Sequence, residues 1–247
     1  MYKIFLYDGT FEGFMCVAFH IISEGIGKDR AIIVSKNEYQ PMFIDSVREV
    51  QNDLKTFLEM RKGIIEKADN SVFKKIYYAF LSDTKDKEGY ILRYLFFVFE
   101  HGKKIKYLYS DDLVNAVEKM AKKVSREIGK YMGLMRFYET DKGFLYAKFE
   151  PENDIIKPVA FFFKGRLNEF NWVIHDVRRN KVALYDRKKL QFLNNNNLKF
   201  EVIKEDEMVQ MLWKKYFKSM AIEERKNLKL QQQNMPKKYW KYLVEKN

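Results

Sequence analysis

Cysteine is all but missing from this sequence: Cys16 is the single thiol among 247 residues. One thiol forbids an intrachain disulfide, a cysteine-ligated iron–sulfur cluster and a multi-cysteine zinc knuckle. A reducing cytoplasm is therefore the expected location. Histidine is nearly as scarce. His20, His101 and His175 are widely spaced and form no HExxH-type pair, so no metal and no cofactor is expected. Walker P-loop, GxGxxG and GxSxG patterns are absent, which removes the familiar motif-bearing enzyme classes. The four prolines build no Pro/Gly/Ser-rich linker, and no internal repeat is evident. Long apolar runs are lacking too. The greasiest stretch, Tyr90 to Phe99, is ten residues interrupted by Arg93, too short to cross a bilayer. The opening MYKIFLYDGT reaches Asp8 before a secretory hydrophobic region can form. The sequence is expected to belong to neither a membrane nor a secreted protein.

What is present is apolar mass and positive charge. Apolar residues make up 47% and aromatics 16%, enough for a packed core and too much for a disordered chain. Lys and Arg total 46 against 34 acids, a net charge of +12.

The patterning predicts an α+β protein. Its amino-terminal two-thirds are mainly helical with short strands, followed by antiparallel hairpins and a basic carboxy-terminal helical tail. Residues 2–7 favour a strand, Asp8-Gly9 a turn, and Thr10 the N-cap of a helix with Phe11, Phe14, Met15, Ala18, Phe19 and Ile22 in its apolar stripe. Cys16 lies in that stripe, buried. Asp8 and Glu12 flank Thr10, where carboxylates suit the positive end of the helix dipole. Ala31 to Val34 suits a strand pairing with the first. Helical periodicity then covers 46–67, 71–82, 88–101 and 111–133. Residues around Asp141-Lys142-Gly143 read as a hairpin, Pro158 to Phe170 as a helix, and Asn171 to Asp186 as a second hairpin turning near Arg179-Asn180. Asn194–Asn197 suits a surface loop, Phe200 to Ile203 a strand, and Asp206 to Ile222 and the stretch after Pro236 helices. The expectation is one continuous α+β body over 1–247, its division near Gly133 if it has two lobes.

Charge location says more than charge total. Residues 208–247 hold ten Lys/Arg against three Glu, +7 within the tail. Arg225, Lys229, Lys237 and Lys238 sit there among Tyr239, Trp240 and other aromatics. Cations follow a phosphate backbone and aromatic faces accept stacked bases, so the mixture suits nucleic acid; the plain alternative packs the aromatics inward and solvates the lysines. A second basic strip is geometric. Lys119, Lys122, Lys123, Arg126 and Lys130 share one face at about 100° per residue, opposite Leu113, Val117, Met120, Val124 and Tyr131. An ordinary solvated face is the alternative. The lack of acidic i+4 partners for Lys122 and Lys130 weighs against it. In WVIHDVRR (172–179), His175 and Asp176 are candidate acid–base groups, and Arg178 and Arg179 a candidate phosphate clamp. Neighbours on a strand face opposite ways, so His175 and Asp176 need not meet.

Five blocks in order resemble one bacterial family: YDGTFEGF (7–14), GLMRFYET (133–140), LYAKFEPEND (145–154), WVIHDVRR (172–179), and the 212–243 tract ending in MPKKYWKYL. The family is labelled "probable DNA metabolism protein". The resemblance implies a partner radical-SAM protein similar to spore photoproduct lyase, or fusion to a domain similar to uracil-DNA glycosylase. No such domain is expected after Leu243, so its chemistry is expected in trans. Members often carry histidines before a GFxRF block and in a PHFxxRF stretch. Here REIGKYMGLMRF (126–137) and VAFFFKGRL (159–167) carry none, leaving any such histidine site incomplete.

The leading expectation is a nucleic-acid-binding accessory protein that holds DNA (or RNA) for a radical-SAM repair or modification enzyme. Phosphates would meet the lysines and arginines, and bases Tyr239 and Trp240. The alternatives are a DNA base-lesion hydrolase or glycosylase using His175, Asp176 and Glu12 or Glu150, and a protein-docking subunit whose tail meets the radical-SAM partner without touching DNA.

Overall fold

The strand-forming start and the capping threonine set the first motif. In the computed structural model, residues 3–41, 46–108, 110–140, 143–194 and 227–243 are described, together with Lys215. The chain divides into two compact units, Met1–Ser125 and Arg126–Asn247.

In the first unit β1 (Lys3–Tyr7) runs into α1 (Phe11–Ser23), then β2 (Ala31–Ser35) and β3 (Ser46–Glu49). The three strands form a parallel sheet in the order β2-β1-β3. Thr10 caps α1 as expected, its Oγ1 accepting the Gly13 N–H at 3.0 Å. Asp8 folds over the same turn, its Oδ1 accepting the Thr10 N–H at 2.9 Å. The fit leaves no room at Gly13, where any Cβ would collide with the Asp8 carboxylate. α1 is buried on most of its circumference, Cys16 included. The Cys16 thiol donates to the Asp53 carbonyl at 3.3 Å, and burial pushes its pKa up.

The helical pattern anticipated from residue 46 begins later. Ser46–Glu49 is a strand, paired with Lys3–Leu6, and α2 (Leu54–Lys67) starts where Asp53 accepts the Thr56 N–H at 2.7 Å. Long-range parallel pairing overrides local periodicity there. α3 (Asn70–Phe80) and α4 (Lys87–His101) follow, then a 3₁₀ segment, Gly102–Tyr107, and α5 (Asp112–Leu134). Phe11 anchors the aromatic core, with ring centroids 5.0 Å from Tyr77 and 5.4 Å from Phe80. The division between units falls inside α5, about two helical turns before Gly133.

The second unit holds a five-stranded sheet, β4 (Tyr138–Glu139), β5 (Leu145–Phe149), β6 (Trp172–Asp176), β7 (Lys181–Tyr185) and β8 (Leu190–Asn194), in sequence order. All pairings are antiparallel except β5–β6, which α6 (Ile156–Arg166) connects in parallel. Both expected hairpins form. The second turns at Asn180, whose φ of 53° is the left-handed conformation asparagine tolerates. α6 starts and ends a little earlier than the Pro158–Phe170 expectation. The chain closes with α7 (Leu228–Asn234) and a 3₁₀ segment, Lys237–Tyr242, after Pro236. The strand and helix expected at Phe200–Ile203 and Asp206–Ile222 lie outside the described residues, apart from Lys215. Arg225 lies outside them as well. Among the described residues no helix is long and apolar enough to cross a membrane.

Candidate nucleic-acid interface

α5 is amphipathic because its apolar residues recur at helical spacing. Val117, Met120, Val124, Ile128 and Tyr131 are buried, while Lys119, Lys122, Lys123 and Arg126 are exposed. At about 1.5 Å rise per residue, Lys119 to Arg126 spans roughly 10 Å of one helix face. Lys119, Lys122 and Arg126 make no ion pair with another described residue. Glu118, beside Lys119, is taken by Lys75, and Glu127, beside Arg126, is buried. Lys130, the last of the row, is spent differently: its ammonium donates to the Asn234 carbonyl at the end of α7.

That contact is the first of several that lay the tail along the end of α5. Asn227 caps α7, its Oδ1 accepting the Leu230 N–H at 2.9 Å. Tyr239 is 5% exposed, edge-on to Tyr131 with centroids 5.0 Å apart, and Tyr131 in turn meets Phe149 at 4.9 Å. Burial pushes both phenols up. Tyr239 is thus core, with no open ring face for a base. Trp240 is half-buried, its indole N–H donating to the Met235 carbonyl at 2.9 Å. Lys238 lies 2.7 Å from the Glu152 carboxylate. Burial works to depress the Lys238 pKa, but that carboxylate and its neighbours win and raise it. Lys241 and the Tyr242 hydroxyl both donate to Glu150 at 2.5 Å and hold its carboxyl below the usual range. Of the tail cations singled out in the sequence, Lys229 and Lys237 are exposed and make no ion pair with a described residue.

The tail docks on a buried polar hub. Glu127, 4% exposed, sits on the apolar side of α5 in line with Val124 and Tyr131. Its carboxylate accepts the Glu152 N–H at 2.8 Å, the Asn153 N–H at 3.0 Å and the Asn153 side-chain amide at 2.6 Å. Lys238 approaches it to 4.0 Å. A lone acid at apolar spacing was the signal for Glu127 in the sequence. Its partner stretch EPEND (150–154) has three acids in five residues and carries no signal of burial in the sequence.

The same loop takes up the two arginines. Arg178 donates to the Glu152 carbonyl at 3.0 Å, and Arg179 to the Pro151 carbonyl at 3.0 Å and to the Glu152 carbonyl. Arg179 also donates its backbone N–H to Asp176 Oδ1 at 3.1 Å, with its guanidinium 3.4 Å from Oδ2. These arginines brace the β5–α6 loop, so the geometry gives them a loop-holding role in place of a preformed phosphate clamp. Asp176 is wholly buried; burial pushes its carboxyl up, and Arg179 opposes the shift. His175 faces the other side of the sheet, its Nδ1 2.8 Å from the Tyr146 hydroxyl. Burial lowers its pKa, the Asn180 side chain opposes this, and Lys148 adds to the lowering, which favours the neutral imidazole. The structure therefore does not join His175 to Asp176. Strand alternation separates them, and each already has a partner. Glu150 is held by the tail, and Glu12 lies in the first turn of α1 in the other unit. Among the described residues no cluster of His, Cys, Asp and Glu is arranged to hold a metal ion.

A family model described as a domain of unknown function, DUF4130, matches residues 85–245. The matched range takes in α4, α5, the five-stranded sheet and the docked tail. No curated protein matches the chain.

Proposed function

The chain belongs to the DUF4130 family, and from that footing we propose that it is a nucleic-acid-binding accessory protein of DNA repair or modification, working in the cytoplasm with a radical-SAM partner. One observation carries the reading: Lys119, Lys122 and Arg126 stand exposed on one face of a single helix and make no ion pair with another described residue. Like charges at helical i, i+3 and i+4 spacing repel, and side chains so placed are stabilised by a polyanion that bridges them. Their separations lie within the Debye length of about 8 Å at physiological salt or close to it, so ions in solution screen them only in part. The radical-SAM protein enters as the enzyme to which the bound strand is presented. Its support is the sequence resemblance in the 133–154, 172–179 and 212–243 blocks.

The test is binding of the full chain to a fluorescent 20-nucleotide duplex and its component single strand across 50 to 200 mM KCl. Three phosphate contacts predict a log–log slope of about −2.7 for duplex and about −2 for single strand. Lys122→Gln should flatten the duplex slope by about 0.9, because one counterion release is lost. Failure to bind either probe at 50 mM refutes the reading.

A further inference from the structure

Of the tail aromatics assigned to base stacking, Tyr239 is buried and Trp240 half-buried, whereas the ring of Tyr107 stands open. Tyr107 is 75% exposed, an unusual exposure for so large a side chain. It ends the 3₁₀ segment Gly102–Tyr107, in which residues three apart eclipse one another. Lys104 and Tyr107 therefore project to the same side, and Lys103 precedes them. All three are exposed, and neither lysine makes an ion pair with another described residue.

The segment beneath is fixed. Ile105 is fully buried, and Lys106 is paired with Asp69, whose carboxyl also caps α3 by accepting the Ser71 N–H at 2.8 Å. The chain leaves α4 through Gly102 at φ 55°, where a Cβ would press on the Lys67 carbonyl oxygen, so only glycine fits. A rigid base thus carries an aromatic face beside ammonium groups. That pairing is what unpaired nucleotides require: a π-face for the base and cations for the backbone.

We infer that Tyr107, with Lys103 and Lys104, is a stacking platform for an unpaired base, so that the polyanion bound is single-stranded nucleic acid. This rests on the nucleic-acid reading above and names its substrate class. Duplex bases are stacked on one another and offer no face to Tyr107, whereas phosphates are common to both forms. The α5 row should serve duplex and single strand alike. Tyr107 should serve only the single strand.

The experiment uses the full chain with a fluorescein-labelled 20-nucleotide single strand and the matching duplex, followed by anisotropy at 100 mM KCl. Tyr107→Ala should weaken single-strand binding roughly tenfold to hundredfold, the range of one lost stacking contact, with duplex binding within about twofold. Tyr107→Phe should retain it, since it keeps the ring and loses only the hydroxyl. Lys122→Gln should weaken both probes. Matching thermal melts for the Tyr107 variants establish that the fold is intact. If Tyr107→Ala leaves single-strand binding unchanged, or weakens both probes equally, the platform is overturned while the cation row stands. An unchanged result would assign the open ring to a protein contact instead. Binding of neither probe by the unmodified chain refutes the nucleic-acid reading itself, and the platform with it.

Discussion

Glu127→Ala should be the most damaging single change in the second unit that leaves the hydrophobic core untouched. The carboxylate is 4% exposed and accepts three hydrogen bonds, from the Glu152 N–H, the Asn153 N–H and the Asn153 side-chain amide. Asn153 is itself fully buried, so its two donors cannot turn to water. A buried donor left without an acceptor costs about 1–3 kcal/mol. With two such donors, the partly buried Glu152 N–H and the more distant Lys238, a loss of about 3–5 kcal/mol follows, as for other buried partners removed singly. That is a large share of the roughly 5–15 kcal/mol of a whole domain. Glu127→Gln keeps one acceptor oxygen but sets an amide N–H against one of these donors, so about 2 kcal/mol is expected. Urea unfolding of both variants, followed by circular dichroism, gives the measurement. Because the hub holds the loop on which Lys238 docks, trypsin should also cut after Lys237 and Lys238 faster in the alanine variant. A Glu127→Ala cost below about 1 kcal/mol, with unchanged tail cleavage, would refute the claim that this carboxylate organises the loop and the tail.

How much of this was legible depends on the range of each interaction. The Thr10 cap and the Asn180 turn are local chemistry, and both appear where the residues place them. The cationic face of α5 follows from spacing alone. β3 was not legible, because Ser46–Glu49 is a strand only by virtue of pairing with Lys3–Leu6 across some forty residues of chain. β8 was missed for a related reason: LQFLN is a short edge strand with no buried residue, and its Leu190–Gln191–Phe192 alternation breaks at Leu193. The fate of the tail aromatics turns on what they meet. Composition counts the ring of Tyr239 but cannot show that Tyr131, more than a hundred residues earlier, covers it. Arg178 and Arg179 look like anion ligands until the carbonyls of Pro151 and Glu152 are seen to claim them. Tyr107 escaped notice because nothing in GKKIKYLY tells an open ring from a core one. The 3₁₀ geometry and the burial of Ile105 decide that.

Three further outcomes follow from local geometry. Cys16 should resist thiol reagents in the native chain and titrate as one thiol on unfolding, since the side chain is buried and its pKa is raised; fast native labelling would contradict the packing of α1. Gly13→Ala should cost about 1–3 kcal/mol in urea unfolding, because the new methyl meets the Asp8 carboxylate that braces the cap; a neutral result would mean that the β1–α1 turn adapts freely. The docking of the tail should weaken in acid. Lys241 and Tyr242 hold the Glu150 carboxyl below its usual range, so its folded pKa is depressed relative to the unfolded chain. Stability from such a group is present above the unfolded value of about 4.3 and is lost as pH falls through the folded one. Hydrogen exchange at the backbone amides of 235–243 should therefore be flat, after correction for intrinsic rates, from pH 7 to about 5 and accelerate below about 4. Glu150→Gln should show the weaker protection already at pH 7 and lose this part of the acid response. If the unmodified tail stays equally protected down to pH 3, the ion pair contributes nothing to its docking, and Tyr239 packed on Tyr131 holds the segment alone.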